Sequence, residues 1–204
     1  MARPDKPLIS RERAARAALE VIDVQGLNGL SLDLVARKIG VKAPSLYYHF
    51  RDKSELLAEV ALCILRDIKA PFVDPSRWEE MIIGLCLAAR RTILLHPNAA
   101  PLLLEYFPRQ IFLDGYDFWT AQCPYPPHLQ LMILEGSDKL TFGSALFAAA
   151  ARSKAIPSMP DFDLATYPNL AAAVRANRFD EESLFVETIK AFLAGVRLLS
   201  EQQS

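Results

Sequence analysis

Residues 31–50 read SLDLVARKIGVKAPSLYYHF, and this stretch predicts two short helices joined by a tight turn. Ser31 is a residue type that caps helix N-termini, and Gly40 suits the end of the first helix. Pro44 suits the first turn of the second helix. Because a longer helix capped by Ser10 precedes the stretch, the pattern is that of a helix-turn-helix. By spacing alone, an ordinary helical hairpin remains equally compatible.

The composition of the whole chain is that of a helical globular protein. Leu and Ala make up 58 of the 204 residues, whereas Val, Ile and Thr make up 26. Leu and Ala are strong helix formers, while β-branched residues favour strands. The longest charge-free run, residues 118–134, has 17 residues and contains three prolines, so we expect no membrane span.

Cysteine spacing and the N-terminus predict a cytoplasmic protein. The three cysteines are spaced neither as zinc ligands nor as a disulfide framework, which fits a reduced compartment. The charged N-terminus is followed by no apolar segment of the signal-peptide kind. No two of the three histidines share a helix face, so we predict no metal site.

Helix-starting and helix-ending residues predict an all-α protein with no strand. Ser76 with Glu79, Asn98 and Asp180 are the expected N-terminal caps of later helices. After the helix-turn-helix, the predicted helices cover 53–70, 77–95, 98–107, 108–122, 128–152, 167–176 and 180–200.

The charge distribution and the absence of catalytic motifs limit the classes of function that fit the sequence. Residues 1–55 carry a net charge of +3 and residues 56–204 a net charge of −4, which favours an anionic partner for the first segment. The sequence has no nucleophile elbow, no phosphate-binding glycine loop and no zinc-protease motif, so we expect neither an enzyme nor a cofactor. A helical adaptor, or a ligand-binding protein that does not bind DNA, is the alternative.

Residues 31–57 resemble the DNA-binding segment of TetR-family transcriptional repressors. The resemblance rests on Gly40-Val41, on the run from Leu46 to Phe50 and on Lys53 opening a helix that contains Leu56 and Leu57. It implies a helix-turn-helix DNA-binding domain over 1–55 and a helical ligand-binding and dimerisation domain over 56–204. It also implies a homodimeric repressor that binds an inverted-repeat operator and is released by a small effector.

The second helix of a helix-turn-helix presents its N-terminal residues to base edges. The expected base-facing residues are Lys42, Ala43, Ser45 and Tyr48. The residues expected at phosphates are Ser31, Tyr47, His49 and Lys53, of which Tyr47 and Lys53 match phosphate-contacting positions of the family. Plain packing is the alternative for the two tyrosines. Asp33 stands where the tetracycline repressor has a base-reading arginine, so we expect a different operator.

The resemblance also places an effector pocket among the helices between residues 76 and 152. Its expected aromatic wall consists of Phe107, Phe112, Tyr116 and Trp119. The positions of the amide, histidine and arginine contacts of the tetracycline pocket correspond to Leu85, Leu103 and Phe107. The polar groups that grip a magnesium chelate are therefore missing, which favours a mostly apolar effector. The candidate polar anchors are Arg90, Arg91, Glu135 and Asp138.

Dimerisation is expected through the two long C-terminal helices, 128–152 and 180–200, of each subunit. The proposed small face consists of Ala145, Ala148 and Ala149, and the proposed large face of Phe192, Val196 and Leu199. The alternative is that these faces belong to the internal core.

Overall fold

A computed structural model describes residues 10–71, 74, 76–157 and 159–202, and every regular element in these residues is helical. The α-helices are α1 (Arg11–Gln25), α2 (Leu32–Ile39), α3 (Ala43–Tyr47), α4 (Lys53–Arg66), α5 (Trp78–Leu94), α6 (Leu102–Glu105), α7 (Leu113–Ala121), α8 (Pro127–Lys154), α9 (Pro168–Ala176) and α10 (Glu181–Glu201). The predicted all-α class is confirmed. No helix in this described part is both long and apolar enough to cross a membrane.

The first three helices form a small unit, called the head here, and α4 packs along α1 beneath it. The head begins where the sequence predicts, because Ser10 accepts a hydrogen bond from the Arg13 amide at 3.1 Å. Ser31 caps α2 in the same way at 3.2 Å. Gly40 ends α2 with φ of +78°, a left-handed conformation that costs glycine little.

The core of the head comes from the inner faces of these helices. Ile22, Val35, Leu46 and Phe50 are all fully buried there. This core continues through α4 to the end of α5, to α6 and to the alanine face of α8. A second core joins α5, α8 and α10, and the unit formed by α5 to α10 is called the body. Because α4 packs against both α1 and α5, it connects the two units.

Two predicted caps of the body are wrong. The expected capping box at Ser76 does not form: the Ser76 amide donates to the Asp74 carboxylate at 2.9 Å, and α5 starts after Arg77 without a side-chain cap. Asn98 caps no helix either, since its amide group donates to the backbone carbonyl of Asp23 at 2.9 Å. Asp180 does cap α10, accepting from the Ser183 amide at 2.7 Å.

Several helices are also shorter than predicted. The expected helix over 98–107 is reduced to the four residues of α6, with turns before it. The expected helix over 108–122 divides into a 3-10 turn, Arg109–Phe112, and α7. α4 ends at Arg66 instead of residue 70.

The predicted dimer face is wrong for four of its six residues. Ala145, Ala148 and Ala149 belong to the core that also contains the end of α5 and α6, and Val196 lies in the core of the body. Phe192 packs on that same core, and Leu199 is exposed. The alternative, that these residues are internal core, is therefore correct for most of them.

Candidate functional site

Apart from Leu46, which is buried in the core, the recognition helix α3 presents its side chains outward from the head. Lys42 is exposed at its N-terminus, and Ala43 and Ser45 are partly exposed on its first turns. Tyr47 and Tyr48, at the end of α3, are 55% and 90% exposed. Plain packing, the alternative for these two tyrosines, therefore does not describe their environment. Such exposed aromatic and basic side chains are free to meet a partner.

Of the three other residues expected at phosphates, His49 follows α3 and is partly buried, whereas Ser31 and Lys53 lie near the loop that precedes α2. Ser31 is occupied as the cap of α2, and its hydroxyl remains exposed to solvent. The Lys53 ammonium donates to the backbone carbonyl of Leu27 at 3.4 Å, which brings it beside the loop that precedes α2. Asp33, in the first turn of α2, is exposed. The α2 N-terminus thus offers amide groups and a hydroxyl next to the Asp33 carboxylate, and the Lys53 ammonium lies beside the preceding loop.

Arg11 holds the end of the recognition helix in place. Its guanidinium lies over the Phe50 ring at 4.5 Å and donates to the backbone carbonyl of His49. It also pairs with Glu55 at 2.8 Å and with Glu59 at 3.1 Å. The pKa of Glu55 is lowered, first by the hydrogen bond from the Arg51 amide and then by Arg11. This arrangement fixes His49 through its backbone and leaves the neighbouring tyrosines unconstrained.

The body contains an apolar cavity of about 200 Å³ between α5, α7 and α8, and it reaches the end of α4. Four expected wall residues line it: Leu85, Phe112, Tyr116 and Trp119. The lining also includes residues that the sequence analysis missed, namely Leu65, Ile68, Ile82, Cys86, Ala89, Gly115, Ile133, Leu134, Ser137, Thr141 and Phe142.

Two expected wall residues lie outside this cavity. Leu103 is buried in the core shared by α4, α6 and α8. Phe107 stacks on Phe112 at a ring distance of 5.5 Å and meets Phe142 edge-on at 4.8 Å. Both residues line a neighbouring groove along α8 instead.

Three of the four candidate polar anchors are engaged elsewhere. Arg90 is buried, donates to Ser144 at 3.0 Å and pairs with Glu181 of α10. Arg91 donates to Glu182 at 2.8 Å. These arginines join α5 to α8 and α10 and do not line the cavity.

The acidic candidates differ from each other. Glu135 pairs with Lys139 at 2.7 Å and does not line the cavity. Asp138 lines the cavity and accepts a hydrogen bond from the hydroxyl of Tyr116. Asp138 is therefore the single proposed anchor that the structure places at the cavity.

Two hydroxyls of α8 are buried at this cavity without a hydrogen-bond partner. They belong to Ser137 and Thr141, which are 6% and 2% exposed. The thiol of Cys86 lies beside them, and burial raises its pKa to about 11, so it stays protonated near neutral pH. Ser137, Asp138 and Thr141 share one face of α8. A polar cluster on the inward face of an otherwise apolar helix is the sequence signal that could have identified them.

Ion pairs connect α1 to α4 and to the body. Arg16 of α1 makes two hydrogen bonds, of 2.9 and 3.0 Å, to Asp67 at the end of α4. This pairing lowers the pKa of Asp67. Asp23, near the end of α1, meets Nδ1 of His96 at 2.8 Å, in the turn after α5. The end of α4 thus lies between the head and the cavity, to which it contributes Leu65.

The described residues contain no group of three or more His, Cys, Asp or Glu side chains that could hold a metal ion.

Comparisons with known proteins agree with this geometry. Residues 15–60 match the sequence profile of bacterial regulatory proteins of the tetR family. The class D tetracycline repressor of Escherichia coli is 31% identical over 201 residues, which covers 92% of this chain and 88% of the repressor. The chain belongs to the TetR family of transcriptional regulators. TetR-family proteins are DNA-binding, ligand-responsive transcription factors and not enzymes. This confirms the expectation of a DNA-binding regulator and the expectation that the chain is not an enzyme.

Other relatives match mainly in part or in fold. An HTH-type transcriptional regulator of Saccharopolyspora erythraea is 31% identical over 97 residues, and the chain spans 41% of its length. The crystal structure of apo ActR from Streptomyces coelicolor superposes with a TM-score of 0.76 at 20% identity, covering 98% of this chain and all of ActR. TetR from Acinetobacter baumannii superposes with a TM-score of 0.69 at 21% identity, covering 94% of this chain and 98% of that protein. These structures share the TetR fold across head and body.

Proposed function

We propose that this TetR-family protein is a homodimeric repressor that binds an inverted-repeat operator and is released by a small, mostly apolar effector. The observation that carries the proposal is the position of α4. Its last turn contributes Leu65 to the cavity wall, and Asp67 directly after it holds α1 through Arg16. A ligand in the cavity therefore contacts the helix on which the head is mounted.

The head, proposed as residues 1–55, reads DNA with α3. Lys42, Ala43, Ser45 and Tyr48 meet base edges, while Ser31, Tyr47, His49 and Lys53 meet phosphates. The exposure of the two tyrosines supports this assignment. So does Lys42, which takes part in no salt bridge within the described residues.

The ligand-binding and dimerisation domain, proposed as residues 56–204, pairs through the outer faces of α8 and α10. On α10, one solvent-facing stripe consists of Leu184, Thr188, Ala191, Gly195 and Leu198. On α8, Phe147 is 83% exposed. Exposed apolar residues along two long helices are typical of an isologous helix-bundle interface. A two-fold dimer explains an inverted-repeat operator with half-sites about 34–36 Å apart or a multiple of that.

The proposed effector is not a magnesium–tetracycline chelate, although two relatives that match most of the chain are named tetracycline repressors. The cavity wall is mostly apolar, and Leu85 stands in it at one of the positions that the resemblance assigns to polar contacts of a tetracycline pocket. Phe112, Tyr116 and Trp119 provide an aromatic wall, with Leu85 beside them. Leu103 and Phe107 contribute to the groove next to it and support that wall from behind.

Release follows from a shift between two states of the dimer. The effector binds better to the state in which the two heads are wrongly spaced, and the operator binds better to the other state. An effector needs about a 10⁴-fold preference to reverse a 1:99 balance, so weak binders derepress only in part.

In vitro selection from random double-stranded DNA tests the proposal, combined with sedimentation of the protein at micromolar concentration. We expect a palindromic consensus and a dimer that binds one full site. A Tyr48→Ala variant, with intact dimerisation, should enrich that consensus more weakly. A monomer that binds single half-sites would contradict the proposed dimer. Selection of DNA sequences that lack two-fold symmetry would contradict the proposed inverted-repeat operator.

A further inference from the structure

We infer that the cavity recognises an uncharged one- or two-ring compound through a carbonyl oxygen that accepts hydrogen bonds from both Ser137 and Thr141. The inference rests on the proposed function, because it assigns the ligand chemistry of the proposed effector cavity. It adds two residues that determine specificity and one functional group that the ligand must carry.

The two hydroxyls are the observation behind this inference. Each is buried, each lines the cavity, and neither has a hydrogen-bond partner. A buried polar group without a partner costs free energy, and protein interiors contain few of them. Because the acceptor that the protein places beside them is only the weak one of the Cys86 sulfur, the arrangement stabilises a bound molecule that brings a stronger one.

The spacing of the hydroxyls selects a single oxygen. Ser137 and Thr141 are four residues apart on α8, so their Cβ atoms are about 5–6 Å apart on the same face. One oxygen at about 2.8 Å from each hydroxyl bridges that gap, and a carbonyl oxygen has two lone pairs to accept both. The Cys86 thiol beside them is a weak acceptor and does not compete with a carbonyl.

Charge in the cavity lining excludes anions. Asp138 and Tyr116 are hydrogen-bonded to each other at the cavity wall, and none of the lining residues is Lys, Arg or His. A ligand carboxylate would therefore lie near a carboxylate without a compensating cation. The remaining lining is aliphatic and aromatic, which suits the rings of an uncharged compound.

Size limits the ring system. A cavity of about 150 Å³ lined by apolar side chains holds one benzene molecule. The present cavity, of about 200 Å³, has room for a one- or two-ring compound. 1-Tetralone and tetralin are suitable probes, since they share both rings and differ in one carbonyl oxygen.

The test is titration calorimetry of both probes with the full chain and with a Ser137→Ala/Thr141→Val double variant. We expect the ratio of the tetralone affinity to the tetralin affinity to fall about tenfold in the double variant, because two hydrogen bonds are lost for tetralone alone. Ser153→Ala, an exposed serine on the same helix, is the control and should keep the wild-type ratio. Both single variants should give intermediate ratios.

Folding does not confuse the result, because thermal unfolding of each variant is followed in parallel and removal of unpartnered hydroxyls leaves the core intact. An unchanged ratio in the double variant overturns the inference, and so does saturable binding of neither probe to the wild-type protein. The inference is also overturned if 1-aminotetralin binds more tightly than tetralone and the double variant does not change this preference. In that case the ligand is recognised by the Asp138 carboxylate, which attracts an ammonium group. The proposed function is judged separately by palindromic DNA binding of the ligand-free dimer, in which neither probe takes part.

Discussion

The head and the body place their functional groups in opposite environments. In the head, Tyr48 projects into solvent from a helix whose other side holds the core residue Leu46. In the body, Ser137 and Thr141 are themselves part of the interior. DNA contacts can therefore change without disturbing the fold, whereas each change at the cavity also changes packing. The comparison predicts that substitutions in the head can weaken DNA binding without lowering the free energy of unfolding. In the body, substitutions at the cavity should change ligand binding and stability together.

The largest expected effect tests whether the exposed side of α3 depends on its buried side. Leu46→Ala removes a fully buried side chain of the head and should cost about 2–5 kcal/mol of the free energy of unfolding. DNA binding should be lost with it, because α3 is only five residues long and has no stability of its own. Urea unfolding measures the change. A cost below about 1 kcal/mol would mean that α3 is not anchored by this residue.

The separation of binding from stability is sharpest at Tyr48. Tyr48→Ala should weaken operator binding by about 1–3 kcal/mol, the usual value of a base contact, and change stability by less than about 0.5 kcal/mol. Fluorescence anisotropy with labelled operator measures the first quantity and urea unfolding the second. Val24→Ala, at an 81% exposed apolar residue of α1, is the matched control and should affect neither. If Tyr48→Ala lowers the free energy of operator binding and the free energy of unfolding by equal amounts, binding and stability are not independent in the head.

Lys53 tests the phosphate contacts of the head by a different measurement. Lys53→Ala should weaken binding to all DNA sequences about equally and reduce the slope of log K against log[salt] by about 0.9. Its hydrogen bond to the Leu27 carbonyl is long, at 3.4 Å, so stability should hardly change. Lys69→Ala, an exposed lysine beyond the end of α4, should leave the salt slope unchanged. An unaltered slope for Lys53→Ala would remove this residue from the phosphate contacts.

The smallest expected effect concerns the ion pair at the junction of head and body. Arg16 lowers the pKa of Asp67, so the folded state holds this carboxylate ionised more firmly than the unfolded state does. The resulting stability is present above the usual aspartate pKa and is lost as the pH falls below about 4. Both side chains are partly exposed, so the contribution is less than about 1 kcal/mol.

Asp67→Asn should therefore flatten the pH dependence of unfolding below about pH 4, compared with the wild type. Asp161→Asn, at an exposed residue of the loop between α8 and α9, provides the control and should leave the pH dependence of unfolding unchanged. If Asp67→Asn leaves the pH dependence of unfolding below about pH 4 unchanged, the ion pair of Arg16 with Asp67 does not stabilise the junction.

The accuracy of the sequence predictions follows the same division. In the head, Ser10, Ser31 and Gly40 act on backbone groups within a few residues, so their effect is readable locally. In the body, Ser76 and Asn98 have the right residue type for a cap but bind other groups. The partner of Asn98 lies 75 residues away in the sequence, and no local pattern contains that information.

The candidate sites show a related limit. Periodicity predicts which face of α8 is buried, but a face of small residues such as Ala145 looks the same whether it meets another helix of its own chain or a second subunit. Aromatic residues of α7 were assigned to the cavity wall from their helix, and two of them, Tyr116 and Trp119, line it. The prediction of Arg90 as a cavity anchor is wrong because its partner, Glu181, lies 91 residues further along the chain.

The shared use of α4 has a consequence for how the protein senses its effector. Under the proposed mechanism, thermodynamic linkage is reciprocal: the factor by which an effector weakens operator binding is also the factor by which the operator weakens effector binding. A copy seated on its operator is thus a poorer sensor than a copy free in the cell. Repressor molecules that are not bound to DNA bind the first effector molecules. The gene under the operator is expressed only after most of these free repressor molecules have bound effector. The response threshold is then set by the amount of repressor in the cell as well as by the chemistry of the cavity.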